Sequence, residues 1–245
     1  MILYGRNSVF ESLRINPKQI NKIYLLKTSS GHKIKDVVDL ARVNSIPYQF
    51  VDLLKIEKIT GHKNHQGIVA ITLARQYTEL ETLITKAKSV NNSILCALDD
   101  VTDPQNLGSI LRNASFFGII GLIITKRNSA GLTDIAVKVA SGAAEHVMVS
   151  QVSNIGYAVD KLKKEGFWAI GADSQSGESI HKADFPKPAI VILGSEGAGI
   201  SRLLKEKCDF LVNIPSCQIN ENTVPSLNVA SASSIIFYEL RKSCK

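Results

Sequence analysis

SILCALDDVTDPQNLGSILRNASFFG, residues 93–118, is the stretch from which the fold is read. Ile94–Leu98 is a short apolar run without polar alternation, the mark of a strand buried on both faces. An Asp-Pro turn follows, and residues 107–117 form a helical pattern, apolar at Leu107, Ile110, Leu111, Ala114, Phe116 and Phe117. The same rhythm continues outward. Apolar runs recur at Leu122–Thr125, Val147–Val152, Phe167–Gly171, Ala189–Leu193 and Phe210–Ile214, separated by helical patterns at 133–142, 156–165, 201–208 and 226–242. Such strands alternating with helices predict an α/β unit with a parallel sheet, covered on both faces. Sheets of that class bind ligands beyond the carboxyl ends of their strands. The chemistry is therefore expected in the loops after Leu98, Leu193 and Ile214.

Upstream, residues 1–75 read as a smaller αβα unit. Helical patterns at 5–14, 33–44 and 53–59 alternate with strand-like runs at Ile23–Leu26, Tyr48–Val51 and Gly67–Leu73. Residues 76–92 are more polar, with part of the stretch helical from Leu80 to Ala87, and are taken as the linker to a second domain, 93–245. The charge follows this division. Residues 1–75 hold 12 Lys/Arg against 5 Asp/Glu, whereas residues 76–245 hold 17 of each, so the net +7 lies in the first third. A basic module joined to a neutral one suggests that the first recruits a polyanion; a solvated basic surface is the plainer alternative.

Several classes are set aside. No apolar run reaches the ~18 residues of a membrane span, and the opening Met1–Arg6 does not resemble a signal peptide. Cys96, Cys208, Cys217 and Cys244 have neither CxxC nor zinc spacing and read as free thiols of a reducing, cytoplasmic compartment. His62 and His65 read as surface residues rather than metal ligands, and no metal is expected. There is no dinucleotide fingerprint, P-loop, HExxH or nucleophile elbow. So few obvious acids and bases point to a cofactor that carries the reactive group.

Three segments carry the candidate chemistry. In the first, Asn106 stands where an N-cap belongs, and Arg112, in an otherwise apolar helix, reads as a phosphate or hydroxyl anchor. In the second, Leu193-Gly-Ser-Glu-Gly-Ala-Gly-Ile-Ser201, a strand runs into a loop of three glycines around Glu196, with Ser201 as a cap. In the third, Ile214-Pro215 ends a strand, and Ser226 reads as the N-cap of the last helix, which carries Asn228 in its first turn. A fourth segment, 138–146, is made of small residues around Glu145 and reads as tight helix packing.

Together these segments resemble the SpoU-type branch of the SPOUT RNA methyltransferases. DPQNLGSILRNASFFG is similar to that family's first motif, LGSEGAGIS to its second and IP…PSLNVASA to its third, in the family's order. YGRNSVFESL, HQGIVA and KVASGAAEHV further resemble bacterial enzymes that methylate a guanosine ribose of 23S ribosomal RNA. The resemblance implies a ribosomal-protein-like RNA-binding domain, a parallel-sheet domain with a C-terminal trefoil knot, a homodimer with its site near the subunit interface, and S-adenosylmethionine as methyl donor. It places Asn106, Arg112, Glu196, Ser226 and Asn228 at catalytic or substrate-positioning places, and Gly194, Ile214 and Leu227 at cofactor-binding places. The implied reaction is transfer of a methyl group to a ribose 2'-hydroxyl, with Arg112 anchoring a phosphate and the 2'-oxygen, and Glu196 paired with Arg112 or Asn106. The third motif departs from the pattern: its usual glycine is missing and the loop 216–225 is some four residues longer, which bears on how it wraps the cofactor. Transfer RNA is the alternative substrate, and a non-catalytic RNA-binding ribosome-assembly factor the alternative class.

Overall fold

The computed structural model describes residues 1–242 other than 62, 74, 176–177, 183–184 and 217–225. The first third runs β1 (Ile2–Tyr4), α1 (Arg6–Ile15), β2 (Ile20–Leu26), α2 (His32–Val43), β3 (Tyr48–Val51), α3 (Leu53–Thr60) and β4 (Ile68–Thr72). The strands form one sheet in the order β1-β4-β2-β3, with β2 and β3 parallel and β4 antiparallel to β1 and β2. Alternation along the strands divides their side chains between two layers. Leu3, Ile23, Leu25, Ile68 and Ala70 pack with Val9 and Leu13 of α1 and Ile34, Val37 and Ala41 of α2. Tyr4, Val51 and Val69 pack with Ile56 of α3 on the other face. The expected αβα layering is present. β1 is the addition: three residues are too few to show a period of two, and its pairing with β4 (Ile2 opposite Ile71) identifies it.

His65 corrects its surface assignment. It is 4% exposed, tucked under the turn into β4, where Gly67 (φ +78°) brings its N–H back to His65 Nδ1 at 3.0 Å. A positive φ of this size is the glycine region of the backbone map. His62 lies outside the described residues.

The remainder runs α4 (Leu80–Lys88), β5 (Ile94–Leu98), α5 (Pro104–Phe116), β6 (Gly121–Thr125), α6 (Asp134–Ala140), β7 (Met148–Val152), α7 (Ile155–Lys164), β8 (Trp168–Ala172), β9 (Ala189–Leu193), α8 (Arg202–Lys205), β10 (Phe210–Val212) and α9 (Val229–Lys242). The second sheet has the order β10-β8-β9-β5-β6-β7, and every pairing in it is parallel. β5 shows why its sequence lacks alternation. Ile94, Cys96 and Leu98 pack with α5, α6 and α9 on one face, while Leu95 and Ala97 pack with α4, α7 and α8 on the other. Half of the joining segment 76–92 is thus α4, whose Leu80, Leu83, Ile84 and Ala87 belong to this second core.

The two sheets are joined through α6 and the 3-10 turn Ala143–Glu145. Val137 packs into the first core, Lys138 Nζ lies 4.2 Å from the Tyr4 ring centroid, and Arg75 pairs with Glu145. On its other side α6 meets α5 so closely that a Cβ on Gly108 would come within 2.5 Å of the Ala136 carbonyl oxygen. Within 138–146, Val139 makes the same close approach to Gly108, and Ala140 and Ala143 are buried in the second core. Cys96 and Cys208 are free thiols; Cys217 and Cys244 lie outside the described residues. No helix among the described residues is long and apolar enough to cross a membrane.

Candidate active site

Strands β5, β9 and β10 are parallel, so the segments that leave them emerge at one edge of the second sheet. After β5 the chain reaches α5 through Asp103-Pro104. The Asp103 side chain accepts the Gln105 N–H at 2.9 Å, and Pro104 occupies the start of the helix, where its fixed φ suits the turn. The helix therefore begins about a turn before its apolar periodicity does. Asn106 is not the cap, as expected from the sequence, but lies within the first turn, free to reach across to other segments.

After β9 the chain folds back on itself. Gly199 N donates to Ser195 O at 2.9 Å, and a Cβ on Gly194 would stand 2.0 Å from the Gly199 carbonyl group. Gly194 is thus required by the loop's own closure. Asp99 ties this loop to β5: its N–H donates to Leu193 O at 2.8 Å, and its carboxylate accepts the Ser201 N–H at 2.8 Å. Asp99 and Asp103 are positioning residues that the sequence reading passed over. The Asp-Pro pair was the available signal for Asp103; Asp99 gave none, because its partner lies 102 residues away.

The third segment supplies a second correction. Asn228, and not Ser226, caps α9: its Oδ1 accepts from Ala230 N at 2.9 Å and from Ser231 N at 3.4 Å. Ser226 lies outside the helix, and its hydroxyl donates to the Glu196 carbonyl oxygen at 3.4 Å. Ser226 is thereby freed from capping and joined to the second motif.

These segments meet in one hydrogen-bonded cluster. Glu196 Oε1 accepts from Asn106 Nδ2 at 2.7 Å and from Asn228 Nδ2, and Asn228 Nδ2 also lies 3.0 Å from Asn106 Oδ1. Of the two partners expected for Glu196, Asn106 is the one found. Both amides use Oε1, which leaves Oε2 without a hydrogen bond among the described residues. The cluster opens onto a polar groove of about 520 Å³ between α5 and α9, lined by Ser109, Asn113, Ser231 and Ser234 together with Asn106 and Asn228.

Ile214 is partly buried against the second core, and Leu227 is 48% exposed next to the cluster. Arg112 is not brought to the cluster. Six residues along a helix amount to about 9 Å of rise and leave the two side chains roughly 120° apart around its axis. Arg112 is exposed and makes no hydrogen bond or ion pair among the described residues. The loop 216–225 falls on residues 217–225 apart from Ser216, and so lies outside the described residues.

The chain's similarities agree with this architecture. Residues 93–238 match the SpoU rRNA Methylase family, and residues 2–78 match a domain described as RNA 2'-O ribose methyltransferase substrate binding. A Bacillus subtilis protein named as a TrmH family tRNA/rRNA methyltransferase, YacO, is 35% identical over 96% of this chain and 93% of its own length. An RNA methyltransferase structure of the TrmH family from Porphyromonas gingivalis aligns with TM-score 0.76 and 25% identity over 99% of this chain and 89% of that one. The SpoU methyltransferase AviRb from Streptomyces viridochromogenes, crystallised with the cofactor AdoMet, shares the fold with TM-score 0.81 at 20% identity, over 100% of this chain and 90% of that one. With both of its halves matched and its three strand-end segments assembled into one cluster, the chain belongs to the SpoU family of RNA methyltransferases.

Proposed function

We propose that this chain transfers a methyl group from S-adenosylmethionine to a ribose 2'-hydroxyl of RNA, with a guanosine of 23S ribosomal RNA as the substrate. The observation that carries the reading is the cluster of Asn106, Glu196 and Asn228, drawn from three separate segments to one sheet edge. Residues 1–75 serve as the RNA-binding domain, 76–92 join it to the catalytic domain, and 93–245 carry the chemistry. The protein works in the cytoplasm. The trefoil knot of the C-terminal segment belongs to the same reading, supported by the order of the three motifs and by the shared fold.

The residues at the site suit the methyl donor. Gly197 and Gly199 have open space where a Cβ would stand, so a ligand can lie against the loop backbone. Leu227 offers an apolar surface beside the polar cluster. Gly194, Ile214 and Leu227 would hold the cofactor, which supplies an electrophilic methyl group when bound. The protein's contribution would be position: its own residues would orient the 2'-hydroxyl and take its hydrogen, while the bound cofactor would supply the methyl group. Glu196 Oε2 stands ready to accept the hydroxyl hydrogen, while Asn106 and Asn228 fix the carboxylate through Oε1. Ser226 holds the backbone of the same loop.

Arg112 acts on a phosphate and the 2'-oxygen in a site completed by a second copy of the chain. Its helix face carries Phe116, 83% exposed, and Tyr238 of α9 is exposed nearby, stacked edge-on against Phe117. An exposed arginine outside its own chain's cluster, beside exposed aromatic rings, fits a homodimer in which sites are shared.

The test is methyl transfer from labelled S-adenosylmethionine to ribosomal RNA, with 2'-O-methyl mapping in RNA from a strain lacking the gene. A single missing 23S methylation supports the reading; loss at a transfer RNA site replaces the substrate. Arg112→Ala should abolish transfer while calorimetry still registers cofactor binding. Near-normal turnover would remove Arg112 from the mechanism.

A further inference from the structure

Two groups stand out among the twelve cations of the N-terminal domain: four paired with carboxylates, and two held by hydrogen bonds to neutral groups. Arg14, Lys27, Arg42 and Arg75 are each matched by a carboxylate, from Glu11, Asp52, Asp39 and Glu145 respectively. Arg6 and Lys33 are held differently. Arg6 Nε donates to the Gln66 carbonyl oxygen at 3.1 Å, its backbone N–H donates to Gln66 Oε1 at 2.9 Å, and its Nη1 lies against Gly31. Lys33 Nζ donates to Asn7 Oδ1 and sits 5.6 Å from the Phe10 ring centroid. Every group that fixes these two cations is neutral. Neither makes an ion pair with a carboxylate among the described residues.

A cation fixed by neutral groups keeps its whole charge and has already lost much of its side-chain freedom. Both properties favour capture of an external anion. The two cations also share one place. They stand where β1 and β2 give way to α1 and α2, and no acidic residue occupies the first turn of either helix. YGRN and HQG, distant in sequence, build this corner together.

We propose that Arg6 and Lys33 form the phosphate-gripping corner of the N-terminal domain, the point at which the RNA backbone is held while the catalytic domain works. Arg6 supplies a planar fork and Lys33 a point charge, which suits two phosphodiester oxygens or two neighbouring phosphates. This rests on the reading of residues 1–75 as the RNA-binding domain.

The experiment uses the full-length protein and unmodified 23S ribosomal RNA transcribed in vitro, with the dissociation constant measured between about 50 and 200 mM salt. R6A/K33A should bind about tenfold more weakly at the lowest salt. Its log–log salt slope should flatten by between about 1.4 and 1.8, the value for two lost phosphate contacts. The double variant K22A/K55A removes the same charge from the two lysines that flank the Tyr24 ring, and should stay within about twofold of wild type. Lys33→Ala alone breaks no bond to the backbone, so it should show half of the slope change with an unaltered thermal midpoint. Equal losses in both double variants, or wild-type binding by R6A/K33A, would overturn the assignment. Failure of the unmodified protein to bind the RNA at all would overturn the underlying domain reading as well.

Discussion

Asn106 and Glu196 stand 90 residues apart in the chain, yet the amide nitrogen of the first lies 2.7 Å from a carboxylate oxygen of the second. The contact joins the start of α5 to the loop after β9, and Asn228 closes it from the third segment. Glu196→Ala removes the acceptor on which both amides converge. Turnover should fall about 100-fold, the scale of a misplaced reacting group. Glu196→Gln keeps one carbonyl acceptor for the amides but loses the carboxylate oxygen that takes the hydroxyl hydrogen, so its turnover should fall about as far while the cluster stays assembled. Methyl incorporation into RNA under saturating cofactor measures both, and near-normal turnover of the alanine variant would dismiss the cluster as catalytic.

Asn228 has two jobs that separate by substitution. Its Oδ1 caps α9 and its Nδ2 binds the cluster. Asn228→Ala should lower stability by about 1 kcal/mol, the usual worth of a cap. Asn228→Ser retains a good capping oxygen but cannot span to Glu196 and Asn106. It should restore most of the stability and none of the activity. Urea denaturation alongside turnover reads the two jobs independently, and joint recovery in the serine variant would mean that capping is all Asn228 does.

The distribution of what could be read from sequence has physical causes. β5 was legible because a strand buried on both faces has no reason to alternate. β1 was not, because three residues at a sheet edge carry no period. Of the three cap assignments, Ser201 does precede α8, whereas those at Asn106 and Ser226 missed for a common reason. Apolar periodicity reports where a helix packs, and the first turn at Pro104 or Val229 can precede or follow that face without altering the pattern. The cluster itself was legible as three polar islands at strand ends, but its internal bonding was not, since Glu196 could equally have met Arg112. Helix rotation decided it: Asn106 and Asn113 turn toward α9, while Arg112 turns outward. The N-terminal charge was countable from sequence, yet which cations lack a carboxylate depends on distances that only the fold supplies.

Acid should loosen the edge of the second sheet first. Asp209, at the entry to β10, is pushed upward by burial, but the Ala169 N–H at 2.8 Å and the Lys163 ammonium at 2.7 Å outweigh that effect and hold its carboxyl below the ordinary carboxylate value. A carboxylate depressed in the folded state contributes stability in full above its unfolded value, about 3.9, and loses it as pH falls through the folded value. Asp209→Asn should therefore lower the thermal midpoint at pH about 7, and the gap to wild type should close below pH about 4. A gap that stays constant across that range would show that Asp209 acts through shape and not through its charge.

Arg75 pairs with Glu145 where the two sheets are joined, and the two side chains are only 10% and 4% exposed. Arg75 also donates to the Ala144 carbonyl oxygen at 3.3 Å, so one guanidinium holds both neighbouring residues of the turn. Removing either partner leaves a buried charge without its counterion. Arg75→Ala or Glu145→Ala should each cost about 3–5 kcal/mol, whereas an apolar replacement of both partners, R75M/E145L, should recover much of that loss. Because α6 lies between this junction and α5, the consequence extends beyond stability. The single variants should bind S-adenosylmethionine normally, as the strand-end loops are untouched, but should show a raised KM for RNA because the basic domain no longer sits at a fixed angle to the cluster. Small-angle scattering should then report a wider spread of dimensions for the single variants than for wild type. An unchanged KM with the same loss of stability would mean that the pair holds the domains together without orienting them for the substrate.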